Sequence, residues 1–257
     1  MNRLILLSLL VGIVQAVVAG PIPATDPSIV GWATGYQDLI RGPMDISDPS
    51  KGDASFGDPN NVLGPAGADG SSHPVVSLGD GGSIVLTFAN PITNGPGADF
   101  AVFSNAFAGW YELAFVEVSS NGVDFTRFAS VSLTQTETQV EWVSGSINPA
   151  DITNLAGKDL AGYGTPFDLE ELAGIPGLNV NAVTHVKIID VVGSIDSAFA
   201  RHDSLGNIIN DPWKTDFETG GFDLDAVGVI NAIPEPSVLF LLFMGMGLVI
   251  RHAHRRR

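Results

Sequence analysis

The sequence predicts an all-β domain, an antiparallel β-sandwich, on three observations. Short segments alternate apolar and polar residues with a period of two, as in residues 83–88, where Ile84, Leu86 and Phe88 share one face. Turn formers separate these segments at close intervals, with 30 Gly and 16 Pro in 257 residues. The chain also lacks the sustained 3.6-residue apolar period of long amphipathic helices.

Taken in order, the chain opens with Arg3, an apolar run over residues 4–14 and the small residues Val17-Val18-Ala19. This is the layout of a secretory signal peptide over 1–19, cut by signal peptidase after Ala19. Residues 20–233 form the expected β-sandwich domain, a loop-rich lead-in over 20–82 and core strands over 83–231. In the lead-in, Asp58-Pro-Asn-Asn-Val-Leu-Gly-Pro65 reads as a turn that tucks Val62 and Leu63 inward. Residues 29–40 read equally as a strand or a helix.

Further strands are expected over 99–103 and 113–119. Asn121-Gly122 then signals a hairpin whose two central positions favour positive φ. The returning strand covers 123–131 with Phe125 and Phe128, and another covers 138–143. Residues 144–182 read as loop with one helical turn around 168–173. The β-branched run over 184–192 and the segment 224–230 complete the set. Seven or so short strands of this kind argue an antiparallel sandwich.

The tail, 234–257, has three parts. Pro234-Glu235-Pro236 precedes an uncharged stretch over 237–250, and Arg251-His-Ala-His-Arg-Arg-Arg257 ends the chain. A helix of that apolar length spans about 21 Å, short of a ~30 Å hydrocarbon core, with its arginines held on the cytoplasmic side. An ordinary C-terminal anchor is one reading of this single transmembrane helix. The motif, the apolar helix with Gly245 and Gly247, and the arginine cluster together resemble the PEP-CTERM sorting signal. That resemblance implies export by a Gram-negative bacterium that makes extracellular polysaccharide. It also implies processing near Pro234, Glu235 and Pro236 by the membrane protease exosortase, from an inner-membrane intermediate to the cell surface or extracellular matrix.

Charge sharpens this picture. Five of the 12 basic residues (Arg3, Arg251, Arg255, Arg256 and Arg257) and one of the 28 acids (Glu235) lie in the two ends, so 27 acids meet seven bases over 20–233, a formal charge of −20. Such a surface repels nucleic acid and anionic lipid. The absence of cysteine excludes thiol catalysis, zinc–cysteine sites and iron–sulfur clusters.

Four further motifs carry a second resemblance. Val76-Ser-Leu-Gly-Asp-Gly-Gly-Ser-Ile-Val-Leu86, Gly97-Ala-Asp-Phe-Ala-Val-Phe-Ser-Asn105, Phe115-Val-Glu-Val-Ser-Ser-Asn-Gly-Val-Asp-Phe125 and Gly221-Phe-Asp-Leu-Asp-Ala-Val-Gly228 look like a family of bacterial cell-surface proteins similar to discoidin-like, galactose-binding jelly rolls. It implies a jelly-roll sandwich with a binding role. Ser104 stands where the family pattern has Glu.

Catalytic arrangements are scarce. Between the two ends the only histidines are His73, His185 and His202, with no Gly-x-Ser-x-Gly elbow and no zinc-type His-x-x-x-His spacing. Carboxylate pairs suited to a glycosidase are plentiful: Glu112 with Glu117, Asp168 with Glu170 and Glu171, and Asp223 with Asp225. None has the flanking aromatic cluster of a sugar cleft. Calcium suits these oxygens better. Asp223 and Asp225 flank Leu224 and leave the strand on one face, Asp99 opens a strand expected beside theirs, and Asn105 and Glu112 follow on its loop. The same acids serve equally as caps of strand ends. For a glycan, Trp110, Tyr111 and Trp213 are the candidate contact rings, or else covers for the ends of the sandwich. The expected function is that of an exported, non-enzymatic cell-surface or exopolysaccharide-associated protein, binding or structural, with calcium and a glycan as candidate ligands. A secreted polysaccharide hydrolase using a carboxylate pair is the alternative.

Overall fold

The computed structural model describes residues 20–67, 74–141 and 147–234. The signal peptide and the tail from Glu235 onward lie outside the described residues, as does His73; Pro234 is exposed. Among the described residues no helix is long and apolar enough to cross a membrane.

The domain is all-β with antiparallel pairing throughout. Among the described residues fourteen strands follow in order: β1 (Ile22–Pro23), β2 (Gly31–Trp32), β3 (Gly35–Ile40), β4 (Val76–Ser77), β5 (Ser83–Ile92), β6 (Phe100–Ser104), β7 (Ala114–Ser119), β8 (Thr126–Arg127), β9 (Val131–Ser132), β10 (Ile152–Thr153), β11 (Leu155–Ala156), β12 (Tyr163–Phe167), β13 (Val183–Asp190) and β14 (Asp223–Val229). One sheet runs β1-β12-β6-β14-β2, with β4 sharing the free edge of β14. The other runs β11-β7-β13-β5-β3, with β8 sharing the free edge of β7. β9 and β10 form a separate pair.

The two sheets bury one core between them. Phe100 and Val102 of β6, Leu224 and Val227 of β14, Ile84 and Leu86 of β5, Val116 and Val118 of β7, and Val186 and Ile188 of β13 belong to a single buried cluster. Strand alternation sends the intervening residues to the outer faces. Ala101, Phe103 and Ala226 face a layer containing Ile22, Ile29 and Trp32, while Leu113 and Phe115 face Ile147, Ile152 and Ile209. Phe100 stacks on Phe167 at 5.3 Å, and Phe128 meets the same ring edge-on at 5.0 Å. Both arrangements suit the aromatic quadrupole.

The long strands lie where the alternation predicts them. The segment 29–40 resolves into β2 and β3, and Val62 is fully buried beside a partly buried Leu63. Elsewhere the expectations need correction. The lead-in contributes four strands, and 144–182 contributes β10, β11 and β12 besides the expected turn at Leu169–Leu172. The returning strand shrinks to β8 and β9, and none of the described residues 138–141 belongs to a named strand. The turn after β7 has positive φ at Gly122 but not at Asn121. Asn121 acts through its side chain instead, its Oδ1 accepting the amides of Val123 and Asp124, each at 2.9 Å.

Candidate functional site: a buried acidic end

At one end of the two sheets β6 and β13 finish and β5, β7 and β14 begin. The registers place Asp190 opposite Ala114, Ile189 opposite Ser83, and Ser104 opposite Leu224. Extending the inward rows of side chains past this line gives polar residues. Asp190 follows Val186 and Ile188, Ser104 follows Phe100 and Val102, and Glu112 precedes Ala114 and Val116. The apolar gap between the sheets therefore closes on carboxylates.

Loops from distant parts of the chain fix these groups. Asp190 accepts the amides of Gly81 at 2.8 Å and Phe222 at 2.6 Å. Asp211 accepts the amide of Leu113 at 2.8 Å. Asp80 accepts the amide of Ile46 at 2.8 Å and the Trp213 indole N–H at 3.2 Å. Asp223 accepts the Ser77 hydroxyl and, at 2.8 Å, the Asn105 amide N–H. Glu112 differs. It is 7% exposed, the Trp110 side chain donates to it, and its Oε1 is buried without a hydrogen-bond partner.

Burial is the main force on these groups, because it penalises the charged form. It pushes Asp190 up to about 8, aided by the neighbouring Asp80, and Asp80 and Asp223 up to about 6. It holds Glu112 and Asp211 well above the usual carboxylate range; Asp223, Asp190 and Asp211 add repulsion at Glu112, and Asp190 does so at Asp211. The cations lie around this centre. Lys51 and Lys214 converge on the inaccessible Asp45 at 2.9 and 3.1 Å. Burial alone would raise Asp45, but its hydrogen bonds from Ser47, Lys51 and Lys214 together hold it well below the usual range. Arg41 spends its donors on the carbonyls of Phe56, Ser77 and Gly57 and faces Asp223, while Arg201 faces Asp80 and Asp190.

Of the five residues expected to share a calcium ion, Asp223 and Asn105 meet and Asp223 acts on Glu112, but Asp99 does not join them. Asp99 is fully buried at the opposite end, because antiparallel neighbours begin at opposite ends: Phe100 pairs with Val229, not with Asp223. Its carboxylate caps Gly95 and Leu169 and accepts from Asn231, at 2.7–2.8 Å. Asp225 accepts the amide of Gly67 at 3.0 Å, whereas Asp223 and Asn105 bind each other. Among the described residues no group of three or more His, Asp or Glu side chains is arranged to hold one metal ion. That predicted set therefore does not fit a single calcium shell. Asp80, Asp190 and Asp211 did not stand out in the sequence; the one available signal was an Asp ending the apolar strand at Asp190.

The expected contact rings also shift. Trp110 and Tyr111 are buried, 6% and 9% exposed, and Trp213 is half-buried against Phe199. Phe107 is 48% exposed and lies parallel to Trp110 at 6.5 Å. Ala161 donates to the Ala106 carbonyl at 2.7 Å, which brings the exposed Leu160 and Tyr163 to the same region. His185 packs nearly perpendicular to Phe125 and lies 2.7 Å from the Thr184 hydroxyl, as a packed strand residue would. No family model and no curated protein matches the chain.

Proposed function

We propose that the chain is an exported surface protein, carried out by its signal peptide and released or retained through a PEP-CTERM tail. Its β domain works as a non-catalytic binding or structural module of jelly-roll type in an extracellular polysaccharide layer. One observation carries the non-catalytic reading. Apart from Glu112, the buried carboxylates of the loop end are each committed to amides or hydroxyls from other loops. They hold the end together, whereas a glycosidase needs two carboxylates flanking an open sugar site. The exposed Phe107 and Tyr163 supply the apolar faces on which a sugar ring stacks.

The test is retention on the producer's own extracellular polysaccharide by the full-length protein in detergent, with reducing ends measured in the same samples. Retention without new reducing ends is expected, weakened about tenfold by Phe107→Ala or Tyr163→Ala. New reducing ends would establish the hydrolase instead, and absence of retention would leave a purely structural part. Replacing Pro234, Glu235 and Pro236 by Ala should trap the protein in the inner membrane; unchanged surface delivery would refute the sorting role.

A further inference from the structure

We propose that the inward acidic end binds a divalent hard cation of the calcium type, with the Glu112 carboxylate as its anchor, backbone carbonyls and water completing its shell, and the charges of Asp223, Asp190 and Asp211 drawing it in. The site is independent of whatever the outer surface binds.

A buried carboxylate oxygen without a partner is costly, and Glu112 Oε1 is one. The charged groups acting most strongly on Glu112 are Asp223, Asp190 and Asp211, so the surroundings worsen the cost and call for positive charge. Lys51, Lys214 and Arg41 are engaged elsewhere, on Asp45 and on backbone carbonyls. An added cation answers all of these features at once.

Oxygen chemistry selects the ion. The charged groups around the anchor are carboxylates, and neither histidine nor cysteine is among them. This suits a hard cation over a transition metal. Calcium completes six to eight positions from carbonyls and water as well as carboxylates, so it needs no three acids poised in advance. Magnesium keeps its water and demands an octahedron, which suits a buried end less well.

Trp110, which donates to Glu112, makes the site observable. Terbium bound there is excited through the indole. The full-length protein in detergent, stripped with EDTA, should show tryptophan-sensitised terbium luminescence that calcium displaces, and calcium at 1 mM should raise the unfolding midpoint. Glu112→Gln should reduce both responses at least tenfold in apparent affinity. Trp110→Phe should dim the luminescence while keeping the calcium-induced shift. The unfolding midpoint in EDTA shows that each variant folds; should Glu112→Gln fail to fold, Asp211→Asn, which removes a neighbouring negative charge, replaces it, with a weakened calcium response expected. Absence of luminescence and of any midpoint shift would overturn the site, as would an unchanged calcium response in a folded Glu112→Gln. Polysaccharide retention is read separately, so either proposal can fail alone.

Discussion

Asp190, the last residue of β13, accepts the amide of Phe222 at 2.6 Å, just ahead of the first residue of β14. One carboxylate thus joins the two sheets at the end where both become polar. Its second oxygen takes the amide of Gly81 from the turn before β5.

Asp190→Ala should therefore destabilise the domain through two stranded amides, at roughly 1–3 kcal/mol for each buried group left unsatisfied. Asp190→Asn keeps one acceptor and should cost about half as much. Urea unfolding followed by tryptophan fluorescence measures both. Equal losses for the two variants would show that the amides find other partners.

Metal-free stability should fall as pH rises from 5 to 9. Asp80, Asp223 and Asp190 have folded values of about 6, 6 and 8, above the ordinary carboxylate value of about 3.9. A raised folded value means that the native state binds the proton more tightly. The contribution is complete below the unfolded value and is lost as pH passes through the folded one. Asp45, shifted the opposite way, loses its contribution only in stronger acid, below this window. Thermal midpoints in EDTA across the range should decline, and Asp190→Asn should flatten the part near pH 8. A midpoint that rises through this range would contradict the assignment.

Asp99 separates fold from ligand. Asp99→Ala removes the acceptor of two backbone amides and of Asn231 at the far end, and should cost about 2–5 kcal/mol. The calcium-induced shift in midpoint should stay the same size. A calcium response abolished in folded Asp99→Ala would mean that the two ends are coupled.

The difference between Asp99 and Asp223 also shows what the chain made legible. Both read as acids opening strands, and β6 and β14 are neighbours, as expected. Direction decides the rest: antiparallel pairing sets their carboxylates a strand length apart, and direction leaves no mark on either motif. The same holds for Asp211, distant in sequence from Leu113, whose amide it accepts. β5, β6, β7, β13 and β14 were readable because five or more residues show an alternation or a β-branched run. β1, β2, β4 and β8–β11 have two residues each, too few for a period, and are fixed by the strands they join. Glu112 was legible as an oxygen donor, but its burial follows from its place at the end of an inward row.

The gathering of Arg41, Lys51, Arg201 and Lys214 around one end has a colloidal consequence. Of the seven basic residues over 20–233, only Arg127, Lys158 and Lys187 remain for the other surfaces, and Arg127 already pairs with Glu117. Neighbouring copies then meet mainly acid against acid and repel across about 8–10 Å of saline. A crowded coat of this protein would hold its members apart, swell in dilute medium and tighten when divalent counterions enter.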